Sequence, residues 1–86
     1  DLQNMLAAMV AQEGSDLYLT TNARPAIKVH GQLQYLCETA LDRGTVKEIA
    51  YSVMNEEQIH IFDKQFEMNL ALSVSKVGRF RVNIFI

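Results

Sequence analysis

Apolar residues near the N-terminus recur with the period of an α-helix. The spacing is i, i+3, i+4, i+7, i+8, and the residues are Leu2, Met5, Leu6, Met9 and Val10. This pattern predicts an amphipathic helix over about residues 2 to 13. Because glycine is common just past a helix end, the helix is expected to stop at Gly14.

Three short segments that follow the helix alternate between apolar and polar positions and predict strands. They cover residues 15–20, 26–29 and 32–36. The second and third are expected to form a hairpin around His30 and Gly31, since glycine adopts positive φ freely and histidine tolerates it better than most residues. The positions of the first strand that are expected to point inward are Leu17 and Leu19.

Two further helices are predicted in the middle of the chain. The second helix has two alternative N-caps, Asp42 and Thr45, and Glu48 lies three residues after Thr45 as in a capping box. Asn55 is the expected cap of a third helix that runs to about Gln65. The apolar face of the second helix comprises Val46, Ile49, Ala50, Val53 and Met54. The buried positions expected in the third are Ile59, Phe62 and Phe66.

The last third of the chain predicts a β-hairpin, because two strictly alternating segments flank a short turn. Antiparallel partners share a face of the sheet, so apolar positions must oppose apolar positions. A three-residue loop, Lys76-Val77-Gly78, satisfies this condition. The apolar pairs that it predicts are Val74 with Phe80, Leu72 with Val82 and Leu70 with Ile84.

Polar residues of the last strand share the opposite face of this hairpin. They are Arg79, Arg81 and Asn83. The predicted register sets Ser75 opposite Arg79 and Ser73 opposite Arg81, so no carboxylate lies directly across from either arginine. Both arginines are therefore expected to be free to bind an outside partner.

The order of elements is helix, three strands, two helices and two strands, which predicts the α+β class. Tight turns between consecutive strands predict an antiparallel sheet with helices packed on one face. A length of 86 residues fits one domain. The sequence stops directly after an alternating strand, and we interpret this as an end inside a domain whose final strand is truncated.

Composition narrows the possible functions. Hydrophobic residues at 49% and charged residues at 21% are typical of a globular protein, and a net charge of −2 gives no reason to expect nucleic-acid binding. Cys37 has no partner for an internal disulfide, and together with His30 and His60 it forms no cluster of metal ligands. No apolar run approaches the roughly 18–20 residues of a membrane-spanning helix, and a cytosolic protein is expected.

Catalytic motifs are lacking. The sequence has neither a G-x-x-x-x-G-K-[ST] phosphate loop nor a G-x-G-x-x-G segment, so this chain alone is not expected to hold or hydrolyse a nucleotide. The remaining candidates for a functional site are four cationic side chains, and two interpretations of them stay open. They bind phosphate or carboxylate groups of a partner, or they form a solvated face paired with Asp16 or Glu38. The cations are Arg79, Arg81, Arg24 and Lys28.

Four segments of the sequence carry a resemblance to a known family. They read Gly14-Ser-Asp-Leu-Tyr-Leu, Arg24-Pro-Ala-Ile-Lys-Val-His-Gly, Val53-Met-Asn-Glu-Glu-Gln and Gly78-Arg-Phe-Arg-Val-Asn-Ile-Phe. In this order and spacing they resemble the N-terminal domain of type IV pilus retraction ATPases, the PilT/PilU type of the secretion ATPase superfamily. The resemblance spans essentially the whole chain.

The resemblance implies that residues 1–86 form a PAS-like domain ahead of a RecA-like ATPase domain, which is absent from this chain. The parent protein is then expected to be a homohexameric ATPase of twitching motility that uses ATP and Mg. Its partners would be its own ATPase domain, neighbouring subunits and the inner-membrane pilus assembly platform. It would lie in the cytoplasm, peripheral to the inner membrane at the base of the pilus machine.

The resemblance also implies roles for particular residues. In that family the N-terminal domain packs over the nucleotide and couples its hydrolysis to domain motion, with arginines reaching the phosphates. Arg81 matches the more widely shared of these positions and Arg79 lies beside it. Arg24 and Lys28 are possible accessory cations, although Lys28 stands where the family often has arginine. The alternative function is an independent PAS-like module for ligand sensing or oligomerisation.

Overall fold

A computed structural model describes residues 2–74 and 78–86 of the chain. The order of its elements is the one that the sequence predicts. The helices are α1 (Leu2–Ala11), α2 (Arg43–Ser52) and α3 (Glu56–Gln65). The strands are β1 (Gly14–Thr20), β2 (Ala26–Val29), β3 (Gln32–Tyr35), β4 (Glu67–Val74) and β5 (Gly78–Phe85).

The five strands form one sheet in the order β3-β2-β1-β5-β4. The α+β class is confirmed, but the sheet is mixed, because β1 and β5 pair in parallel while the other neighbours are antiparallel. Tight turns force antiparallel pairing only between strands that they join, and the chain between β1 and β5 is long enough for a parallel return. β5 lies between two neighbours, so the edges of the sheet are β3 and β4.

The core lies between one face of the sheet and the three helices, as predicted. Its strand residues occupy alternating positions and are Leu17, Leu19, Ile27, Val29, Leu70, Phe80, Val82 and Ile84. The helices add Leu6, Met9, Val46, Ala50 and Phe62, and Met54 joins the core from the link between α2 and α3. The two inward leucines expected in β1 are fully buried. Most side chains on the other face of the sheet are exposed to solvent.

The end of α1 differs from the prediction. The helix stops at Ala11, and the left-handed residue after it is Glu13, with φ 59°, while Gly14 begins β1. A Cβ atom at Gly14 would lie 2.8 Å from Cγ of Met9 and 3.3 Å from Cδ1 of Ile27. Glycine is therefore required here by the close approach of helix and strand, which local sequence does not reveal.

The turn between β2 and β3 is confirmed as a two-residue turn. His30 has φ 49° and Gly31 has φ 81°, the signs that such a hairpin turn needs at both positions. The imidazole of His30 is exposed, and its Nε2 lies 3.4 Å from Oε2 of Glu13. His60 is exposed on α3.

Side-chain caps open both central helices. Of the two alternatives for α2, the cap is Asp42, whose Oδ1 accepts a hydrogen bond from the Thr45 amide at 2.8 Å. Asn55 caps α3 as predicted and exchanges hydrogen bonds with Gln58 in a complete capping box. The expected burial of Phe66 is wrong. This residue ends α3 with φ 61° and is 47% exposed, because the chain leaves the helix there to enter β4.

The register of the terminal hairpin differs from the prediction by two residues. Leu70 pairs with Val82 and Leu72 with Phe80. Because side chains alternate with period two, a shift by two positions keeps every apolar residue on the same face, so apolar matching cannot distinguish these registers. Of the predicted loop, Lys76 and Val77 lie outside the described residues, and Gly78 is the first residue of β5, paired with Val74.

Candidate functional site

Three charged residues on adjacent central strands form a row across the open face of the sheet. Asp16 of β1 is paired with Lys28 of β2 on one side and with Arg81 of β5 on the other. Partners in a sheet ladder share a face, so the carboxylate lies between two cations. The structure thus brings together Lys28 and Arg81, which are far apart in sequence.

Arg81 forms an ion pair with Asp16. Nε of the guanidinium lies 3.5 Å from Oδ1 of the carboxylate, and the side chains are 70% and 13% exposed, respectively. The other carboxylate oxygen, Oδ2, accepts a hydrogen bond of 2.8 Å from the hydroxyl of Ser15. The expectation that Arg81 is free within the domain is therefore wrong, because it pairs with Asp16.

The expectation was wrong because the register of a hairpin predicts only the pairing between two strands that are consecutive in sequence. Directly across from Arg81 in the hairpin is Ala71, and across from Arg79 is Ser73, so no carboxylate lies opposite either arginine on β4. The carboxylate comes instead from the parallel neighbour β1. The sequence signal was limited to an acidic residue at an outward position of β1, because nothing local indicates which strand will lie beside it.

Arg79 lies on the same face of β5 as Arg81, two residues away. Its side chain is exposed, and no ion pair or hydrogen bond engages it within the described part of the chain. Arginine offers five N–H donors in a planar fork that matches phosphate or carboxylate oxygens. Arg79 is therefore available to an anionic group that approaches this face of the sheet.

Arg24 does not join this row of charges. Its Nε donates a hydrogen bond of 2.9 Å to the carbonyl oxygen of Cys37, and its guanidinium carbon lies 4.2 Å from the centre of the Tyr35 ring. These contacts attach the segment after β3 to the β2–β3 hairpin. Arg24 thus has a local structural role.

Asn83, the third polar residue on the outer face of β5, is not available to a ligand. It is only 8% exposed, and its Nδ2 donates a hydrogen bond of 3.3 Å to the carbonyl oxygen of Leu17. This contact joins the two parallel central strands. Asn83 therefore strengthens the platform on which Arg81 stands.

A second feature, missed by the sequence analysis, is an open apolar groove of about 700 Å³. It lies between α1, α2 and the segment that connects β3 to α2. Its apolar lining is formed by Leu2, Met5, Pro25, Leu41, Ile49 and Val53, and Cys37 also contributes. The groove is at the surface, whereas the space between sheet and helices is filled by the core.

Two kinds of feature are absent from the part of the chain that the structure describes. No three His, Cys, Asp or Glu side chains there are arranged to hold a metal ion. No helix among residues 2–74 and 78–86 has the length and apolar character to cross a membrane.

Comparisons with known proteins agree with the resemblance. No family model matches the chain. The chain is 36% identical over 85 residues to the type IV pilus ATPase PilU of Pseudomonas aeruginosa, an alignment that covers 99% of this chain and 22% of the relative. It is 33% identical over 85 residues to the retraction ATPase PilT of the same species, covering 99% of the chain and 25% of PilT. A twitching motility protein of Neisseria gonorrhoeae is 33% identical over 61 residues, which cover 71% of this chain and 16% of that protein.

The fold also resembles that of a solved retraction motor. A crystal structure of the pilus retraction motor PilT with bound ADP matches with a TM-score of 0.78 and 28% identity, over 99% of this chain and 25% of that one. The chain thus spans about a quarter of the length of the relatives that it matches over its whole length. It belongs to the PilT/PilU type of type IV pilus ATPases, of which it forms an N-terminal domain.

Proposed function

We propose that this domain is part of a motor ATPase that retracts type IV pili in twitching motility. The observation that carries the proposal is the match to PilU and PilT over 99% of the chain. The domain packs over nucleotide held by an ATPase domain and couples ATP hydrolysis to domain motion. Its open sheet face supplies the contact.

The charges on this face support the proposal. Arg81 and Arg79 are exposed cations on one strand, with Lys28 two strands away and a single recessed carboxylate, Asp16, in the row between Lys28 and Arg81. Arginines placed by a rigid sheet can deliver positive charge to a phosphoryl group when two domains close on it. Closure of this kind links the nucleotide state to a rotation of domains.

The assembly, the cofactors and the cellular location that we propose are those implied by the resemblance to the family. The parent motor is a homohexamer in which a RecA-like domain holds ATP and Mg, while this PAS-like domain contributes Arg81 and Arg79 and has no phosphate loop of its own. Lys28 is an accessory point charge. The motor works in the cytoplasm at the inner-membrane base of the pilus, against the assembly platform.

The proposal is tested by Arg81→Ala in the full-length protein, with Arg43→Ala as the control. Arg43 is an exposed arginine at the start of α2 and lies outside the row of charges. Loss of one donor to the transition state is expected to lower kcat by about 100-fold, while the control retains its turnover. Unchanged turnover in Arg81→Ala would exclude a nucleotide contact by this residue.

The second candidate function, an independent module for ligand sensing or oligomerisation, is favoured by the apolar groove between α1 and α2. A thermal-shift screen of metabolites tests the sensing function, because a ligand that fills the groove raises the unfolding temperature by mass action. An oligomerisation module differs from the proposed motor domain because its Arg79 and Arg81 would make no contact with nucleotide.

A further inference from the structure

Asp16 is recessed in the open face of the sheet, whereas its partner projects from it. The carboxylate side chain is 13% exposed and the Arg81 side chain 70% exposed. Lys28 is the other ladder neighbour of Asp16, but among the described residues only Arg81 comes within ion-pair distance of the carboxylate. The pair therefore consists of an anchored anion and a protruding cation.

The anchoring of Asp16 has several structural causes. The pairing of β1 with β2 is irregular between Gly14 and Asp16, and bulges of this kind re-aim the side chains beside them. Ser15 then donates its hydroxyl hydrogen to Oδ2 of Asp16 at 2.8 Å. The next residues along the parallel ladder, Leu17 and Val82, are fully buried, so the backbone that carries the pair belongs to the centre of the core.

The atoms in the contact leave part of the guanidinium for other acceptors. Asp16 approaches Nε, and no other hydrogen bond or ion pair of Arg81 is present among residues 2–74 and 78–86. A guanidinium carries five N–H donors, four of them on its two terminal nitrogens. Arg81 can thus retain its contact with Asp16 while the terminal nitrogens bind two oxygens of a phosphate.

We infer that Asp16 is a positioning residue that orients Arg81 for a phosphate group before the domains close. The inference rests on the proposed function, since it gives Arg81 a phosphate to bind. An arginine that is free to rotate must be ordered when the phosphate binds, and a side chain already held in place avoids this loss of entropy. Removal of the carboxylate is expected to weaken the action of Arg81 without abolishing it.

The first test measures the contact itself in the full-length protein without nucleotide. Phenylglyoxal modifies accessible arginines, and tandem mass spectrometry of the peptide that begins after Glu67 compares labelling at Arg81 with labelling at Arg79. Asp16→Ala is expected to raise the ratio of Arg81 to Arg79 labelling, and the isosteric Asp16→Asn variant to raise it less. The control Glu38→Ala removes an exposed carboxylate of the segment after β3 and is expected to leave the ratio unchanged. An unchanged ratio in both Asp16 variants would overturn the inference whatever Arg81 does in catalysis.

The second test measures turnover in the same protein. Asp16→Ala is expected to lower kcat by about 2- to 10-fold, the effect of ordering one long side chain, with little change in KM. In the Arg81→Ala background the same substitution is expected to have no further effect. The positioning role would be rejected if Asp16→Ala lowered kcat as much in the Arg81→Ala background as in the otherwise wild-type protein. It would also be rejected if Asp16→Ala alone left kcat unchanged while Arg81→Ala lowered it. Either result would leave the proposed function intact. Normal turnover of Arg81→Ala itself would reject both.

Discussion

Arg81 and Asp16 are partners across the parallel ladder of β1 and β5, with Nε of the arginine 3.5 Å from Oδ1 of the aspartate. The two strands come from opposite ends of the chain and meet only in the folded sheet. The pair joins two of the segments that carry the family resemblance, Gly14-Ser-Asp-Leu-Tyr-Leu and Gly78-Arg-Phe-Arg-Val-Asn-Ile-Phe.

The Arg81–Asp16 pair is expected to contribute little to the stability of the fold. The guanidinium is 70% exposed, and solvent screens most of the attraction in such a pair. A double-mutant cycle of Asp16→Ala and Arg81→Ala, measured by urea unfolding, should give a coupling free energy below about 1 kcal/mol. A coupling above about 2 kcal/mol would show that the pair is a structural element rather than a functional one.

Gly14→Ala is expected to destabilise the protein because its Cβ would lie 2.8 Å from Cγ of the buried Met9. The loss in the free energy of unfolding should be about 1–3 kcal/mol, as in other overpacked cores. Gly44→Ala is the matched control, since the nearest atom to its Cβ is Oδ1 of Asp42 at 3.6 Å and the site is an exposed helix position. This control should raise stability by about 0.5 kcal/mol. Equal effects of the two substitutions would contradict the close approach of α1 and β1.

Asn55→Ala is expected to lower the free energy of unfolding by about 1 kcal/mol. The substitution removes the acceptor for the Gln58 amide, a contact of 2.8 Å, and so leaves a donor of the first turn of α3 unpaired. Asn55→Asp retains an acceptor at the same place and should stay near the wild type. Thermal unfolding of both variants followed by circular dichroism checks this, and equal losses in the two would argue against a capping role.

Acid is expected to weaken the cap of α2. Hydrogen bonding from the backbone and side chain of Thr45 lowers the pKa of Asp42 below its ordinary value of 3.8. Because the folded-state pKa is the lower one, the stabilisation is present above pH 3.8 and is lost as the pH falls through the depressed pKa. Asp42→Asn keeps a side-chain oxygen that accepts the hydrogen bond but is not protonated in this pH range. The difference in unfolding free energy between wild type and Asp42→Asn should be constant above about pH 5 and shift in favour of the variant in stronger acid. A difference independent of pH would contradict the lowered pKa.

Local pattern was sufficient for the elements and their faces. The inward leucines of β1, the His30-Gly31 turn and the capping box of Asn55 depend on residues within a few positions of one another, so the sequence predicts them directly. The end of α1 and the exposure of Phe66 escaped prediction because each depends on where the chain goes next. Met9 approaches Gly14 only after α1 has packed on the sheet.

In the candidate site, too, some features follow from local sequence pattern and others from the fold. The sequence alone places Arg79 and Arg81 on one face of the last strand, because side chains of a strand alternate with period two. It also determined, through four segments in fixed order, the resemblance to the PilT/PilU type. The parallel return of β5 beside β1 is visible only in the folded sheet, since strand order follows from how the helices and the sheet share one core. This parallel pairing places Asp16 beside Arg81, although the two residues are far apart in sequence.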